Sequence, residues 1–144
     1  MNDLAQRIRT PWLKVIFESK HPRKRYEETF VGFPKAQRPR SIQVGDHMVL
    51  YAVGGAKSVF ALVEVTSEVY ERTEWPQWPH SMDVRYLVNL PVSQGVHIDE
   101  ISTSKRDLLR PIRAGRSYFR LTPDEYERAV SKLKATVKTS NDVG

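Results

Sequence analysis

The chain has 144 residues, 40% of them hydrophobic and 28% charged, with a formal net charge of +6 and no cysteine. That length and composition suit one domain with a core of its own, and the absence of thiols excludes disulfide frameworks, zinc–thiolate sites and thiol nucleophiles. No run of about 18 apolar residues offers a membrane span, and no apolar segment follows the basic N-terminus, so the expectation is a soluble, cytoplasmic protein with no membrane role.

The charge is unevenly spread. Residues 1–40 hold ten Lys/Arg against four Asp/Glu, residues 41–100 three against eight, and residues 101–144 ten against five. The balances are therefore +6, −5 and +5. Two basic ends either converge on one face or decorate two solvated surfaces. A shared basic face would draw in polyanions by steering and counterion release.

Met1 to Thr10 reads as a polar, frayed start. Trp12 to Phe17 reads as a first strand, rich in β-branched and aromatic residues. Ser19 to Arg40 carries three prolines and reads as a long irregular excursion. It interleaves His21-Pro22-Arg23-Lys24-Arg25 and Arg38-Pro39-Arg40 with Tyr26, Phe30 and Phe33. That mixture fits phosphate contacts with base stacking, and it equally fits a solvated loop anchored by three aromatics.

Val44-Gly45-Asp46 reads as a turn. His47–Val53 follows as a strand, then a hairpin turn at Gly54-Gly55-Ala56-Lys57. Val59–Thr66 is apolar until Glu64, as a strand covered on both faces would be. Ser67 to Glu71 continues that strand or bends away. Asp83 to Val92 reads as another strand, with Val84, Tyr86, Val88 and Leu90 on one face.

Gly95–Ile101 suggests a short helical turn. Ser102–Leu109 suggests a helix start capped by Ser104, and Arg110–Ser117 a basic loop. Tyr118–Leu121 is a short strand. Thr122 then caps a helix with Pro at its first position and Glu125 three residues on; Tyr126, Ala129, Val130 and Leu133 form its apolar face. From Thr136 the chain reads as a polar tail. The sum is an α+β domain, a mixed curved sheet or small barrel of five to six strands with flanking helices, its core spanning about residues 12–135 and its tail 136–144.

The stretch Glu74-Trp75-Pro76-Gln77-Trp78-Pro79-His80 places two tryptophans in a Pro-rich loop. They either pack on the flank of their own core or form an aromatic wall for a flat or cationic ligand. No catalytic constellation stands out. The four histidines (21, 47, 80 and 97) lack metal-ligand spacing, so neither a metal nor a cofactor is expected.

Gly45-Asp46, the strand Met48-Val49-Leu50-Tyr51, the strand Phe60-Ala61-Leu62-Val63-Glu64-Val65, Tyr70 and Asp83-Val84-Arg85-Tyr86 together resemble the EVE domain of the PUA-like superfamily. The same segment is similar to YTH domains, which hold methylated adenine in an aromatic cage. There a loop tryptophan stands with four residues between it and an Asp-Val-Arg-aromatic strand, the position of Trp78. The resemblance implies a PUA-like fold and a modified-base pocket built from Trp75, Trp78, Phe33 (or Phe30), Tyr51 and Asp83. Arg113 or Arg116, before the last helix, is implied as a phosphate contact, and the basic excursion adds Arg40.

The expected function is a non-catalytic module that binds RNA or DNA and reads a modified, flipped base. Two other readings stand beside it. One is a small hydrolase on a modified nucleoside, as the related ASCH group suggests, for which Glu64 and Tyr51 are candidates. The other is a protein-interaction domain with basic ends. Oligomeric state is open, with a monomer the expectation.

Overall fold

The structure, a computed structural model, describes residues 10–16, 23–53, 57–74, 76–102 and 107–143, with side chains of the last helix described as far as Val137. Among these residues lie strands β1 (Pro11–Ile16), β2 (Phe30–Phe33), β3 (His47–Ala52), β4 (Ser58–Val65), β5 (Tyr70–Glu71), β6 (His80–Asn89), β7 (Val96–His97) and β8 (Tyr118–Arg120). Helices α1 (Leu109–Arg113) and α2 (Pro123–Val143) flank them. Six strands run in the order β2-β6-β4-β3-β1-β8, with β5 beside β6 and β7 beside β4. Only the β1–β3 pairing is parallel, so the sheet is mixed. It curls into a half-barrel: the two ends of the path approach each other, and Phe33 of β2 meets Tyr118 of β8 edge-on at 5.2 Å.

The curl creates two cores. Trp12, Phe33, Met48, Leu50, Phe60, Met82 and Val84 fill its inner face. Leu13, Val49, Tyr51, Leu62, Ile98 and Leu108 fill the outer face, where Ala129 and Leu133 of α2 cover them. Strand β4 is buried on both faces except at Glu64, as its apolar run suggests. Phe60 is fully buried, and truncating such a ring to Ala costs roughly 3–5 kcal/mol.

The Gly45-Asp46 pair is a structural knot. Gly45 has φ of +95°, a backbone state that glycine enters freely. That turn aims the buried Asp46 carboxylate at the Trp12 indole N–H (3.0 Å) and the Gln43 backbone N–H (2.9 Å). The Trp12 donor would otherwise be buried unpaired. The α2 cap forms as the sequence predicts: the Glu125 carboxylate accepts from the Thr122 N–H at 2.8 Å, and the Thr122 hydroxyl accepts from the Glu125 N–H at 3.2 Å.

Several local expectations change. The excursion before Arg40 contains β2, a strand with too few residues to show a period. Strand β6 begins at His80, three residues before the expected start at Asp83. Its register against β4 shifts between Leu62 and Val63, so Tyr86 pairs with Val63 but Val88 pairs with Leu62. Such a bulge turns the side chains over. Val84 and Tyr86 therefore pack inside the curl, whereas Val88 and Leu90 join the helix-side core.

The expected basic loop contains α1, and the expected polar tail is the end of α2. The proposed Ser104 cap and the turn at Gly54-Gly55-Ala56 lie outside the described residues. No helix among the described residues is long and apolar enough to cross a membrane.

Candidate functional site

The seam where the half-barrel almost closes is where the chain's charge converges. Residues 34–40 leave the end of β2, and residues 115–117 lead into β8 from the opposite side. Gln37 stitches them together: its amide donates to the Gly115 carbonyl (3.0 Å) and its side-chain oxygen accepts from the Ser117 N–H (2.8 Å). Between the two segments lies a cleft of about 740 Å³ lined by Lys35, Arg38, Arg40, Arg116, His80 and Tyr118. Three of its cations come from the basic N-terminal part of the chain and one from the basic C-terminal part. Like charges gathered around one concavity focus field lines and favour an anionic occupant.

Beneath the cleft lies an aromatic niche. Tyr118 contacts Trp12 at 5.8 Å as well as Phe33. Its cross-strand partner on β1 is Lys14, so both side chains stand on the inner face. Lys14 is 1% exposed. Its Nζ donates to the Val15 carbonyl at 2.6 Å and faces the rings of Phe33 (4.9 Å) and Trp78 (5.3 Å). Burial pushes this ammonium down from 10.5 to about 7. A lysine held this way is poised between donor cation and neutral amine near physiological pH.

A family model for the EVE domain matches residues 11–132. The chain belongs to the EVE domain family. Among solved structures, a crystal structure of a protein from Agrobacterium tumefaciens is 18% identical, with TM-score 0.57, covering 85% of this chain and 92% of that one. An NMR structure from Rhodopseudomonas palustris is 12% identical, with TM-score 0.59 and coverage of 88% and 94%. An ASCH protein from Zymomonas mobilis is 13% identical, with TM-score 0.55 and coverage of 86% and 96%. The fold of this EVE domain is thus PUA-like. A search of curated proteins returns no match.

The EVE fold gathers some of the sequence-chosen residues and separates others. Phe33 is fully buried in the inner core, Trp78 is half-buried beside Lys14, and Arg40 and Arg116 line the cleft. Trp75 lies outside the described residues. Tyr51 points into the helix-side core, where burial and Asp99 push its phenol up while Arg113 opposes them. Arg113, on α1, is therefore near Tyr51 and is not among the residues lining the cleft.

Asp83 sits three residues from His80 on β6, hence on the opposite face. It accepts from the Tyr70 hydroxyl at 2.6 Å and pairs across strands with Phe30, on which the Arg72 guanidinium stacks at 3.7 Å. Glu64 pairs with Arg85 on the sheet's flank and does not meet Tyr51. Among the described residues no cluster of His, Asp and Glu is arranged to hold a metal ion.

Lys14, Lys35, Arg38, His80 and Tyr118 were not selected from the sequence. Arg38 left a signal there within the basic Arg38-Pro39-Arg40 run, and Lys14 as a charged residue on the Trp12 face of an apolar strand.

Proposed function

We propose that this EVE domain is a non-catalytic nucleic-acid-binding module that receives a modified, flipped base beside Trp78 and the flanking phosphates in the basic cleft. Membership of the EVE family and the PUA-like fold support a nucleic-acid-binding or related domain. The observation that carries the reading is the convergence of Lys35, Arg38, Arg40 and Arg116 on one cleft whose Tyr118 wall packs on Phe33 of the Phe33–Lys14–Trp78 cluster. Cations supply affinity without sequence information. An aromatic face supplies roughly 1–3 kcal/mol per stacked base. Lys14, a hydrogen-bond donor in a dry niche, favours a base carrying an acceptor at its buried edge.

The test is a tryptophan-fluorescence titration with short RNA and DNA strands bearing modified and unmodified bases. Binding that depends on the modification and is lost in Trp78→Ala, with the fold retained, supports the reading. Four phosphate contacts to a single strand give a slope of log K against log salt of about −3, and Arg116→Ala reduces it by about 0.7. Salt-independent binding, or none across the panel, overturns it. Release of a cleaved group during the same incubation would point to the hydrolase reading.

A further inference from the structure

His80 lines the cleft and is 9% exposed. Its Nδ1 lies 2.8 Å from Glu71 Oε1 and its Nε2 lies 3.2 Å from the Lys35 carbonyl oxygen. A carboxylate and a backbone carbonyl can only accept, so both ring nitrogens must donate. A neutral imidazole has one N–H and an imidazolium has two. The two bonds therefore coexist only when His80 carries its second proton.

We propose that His80, as an imidazolium, is the positioning residue of the phosphate cleft and couples anion binding to proton uptake. The inference rests on the cleft being the phosphate site. One bond clips the backbone of Lys35, at the head of the segment that also carries Arg38 and Arg40. The other neutralises Glu71, the carboxylate whose Oε1 is also 3.6 Å from Arg38 Nε. When His80 loses its proton, the clip to Lys35 or the bond to Glu71 is lost. In either case Glu71 loses the positive charge of the imidazolium, and the Arg38 guanidinium is drawn from the ligand to the carboxylate.

Among the described residues, the charged and titratable groups around the ring are Glu71 on β5, Lys35, Arg38 and Arg40 on the segment after β2, Arg116 and Tyr118 at β8, and Lys14 on β1. Glu71 is the one acid among them.

The experiment follows the His80 ring nitrogens by 15N NMR across about pH 5.5–8.5, free and with a single-stranded oligonucleotide, beside anisotropy titrations of the same strand. The wild type should show two protonated nitrogens wherever the strand binds tightly, and should lose affinity severalfold once one of them is deprotonated. His80→Gln, a neutral amide, should bind weakly with a flat profile. Glu71→Gln, on the exposed side of the pair, should recover affinity at the alkaline end because Arg38 is released. A single-protonated His80 at the acid end, or a wild-type pH profile that His80→Gln leaves unchanged, overturns the inference while binding itself leaves the cleft reading intact. No binding by the wild type at any pH removes the cleft reading, and this inference with it.

Discussion

Replacing Lys14 by methionine is expected to stabilise the fold at neutral pH and to flatten its response to alkali. The Lys14 ammonium is 1% exposed, and among the described residues its Nζ donates to the Val15 carbonyl. An unfolded chain takes up this proton near 10.5, the folded one near 7. Between those values the unfolded state binds more protons, so stability rises with pH from about 7 to about 10.5 and is lowest, by this group's account, at and below neutrality.

Each tenfold step in protonation is about 1.4 kcal/mol, so the full interval is worth on the order of 5 kcal/mol. The faces of Phe33 and Trp78 return part of that while the amine is charged, leaving a gain of about 2–4 kcal/mol for the unbranched, uncharged methionine. Urea unfolding followed by tryptophan fluorescence, at about pH 7 and about pH 10 with m-values compared, measures it directly. The gain should be large at the lower pH and small at the higher. A variant no more stable than the wild type at neutral pH, with the same pH slope, would mean that Nζ is solvated or paired, and the reasoning fails. On the proposed function, the same change should weaken oligonucleotide binding, because it removes the donor beside Trp78.

Tyr86 works in the opposite direction. Burial, followed by the nearby charges of Glu28 and Tyr26, pushes its phenol up to about 12. Stability is therefore lost as pH rises from 10 to about 12, and the loss should be shallower in Tyr86→Phe when thermal melts are compared across that range. Asp46→Ala strands the indole N–H of Trp12 and should cost roughly 2–4 kcal/mol in denaturant titration, with Asp46→Asn costing less because it keeps an acceptor. Two glycines should respond for different reasons. Gly45→Ala meets nothing within 4 Å but is held at φ +95°, a cost of about 1 kcal/mol. Gly95→Ala would drive its Cβ into Ser58 Oγ and to 2.5 Å from the Val59 carbonyl oxygen. That forces the β4 backbone to move and should cost about 2–3 kcal/mol or more; equal effects of the two changes would contradict this account.

Much of the framework could be read from neighbours along the chain. Strands β1, β3 and β4 follow from runs of β-branched and aromatic residues, and the start of α2 from Thr122, Pro123 and Glu125, because these signals act within a few residues. The order of Gly45-Asp46, the apolar strands and Trp78 before Asp83 carried the family. The two basic ends of the chain were visible as composition. Strand β2 was not, since four residues between prolines show no period. Nor was the face of Tyr51 or Asp83, since the side on which a strand residue lies depends on bulges and partners that spacing does not reveal.

By itself, then, the sequence determined the family, the main strands, the capped helix and an excess of positive charge at both ends. Only the tertiary structure decided that those ends share one cleft. That outcome depends on the sheet curling until β2 and β8 meet, with Phe33 against Tyr118 and Gln37 bridging to Gly115 and Ser117. Contacts between residues about 80 positions apart leave no local periodicity. They exist only when sheet twist, two bulges and side-chain packing act together.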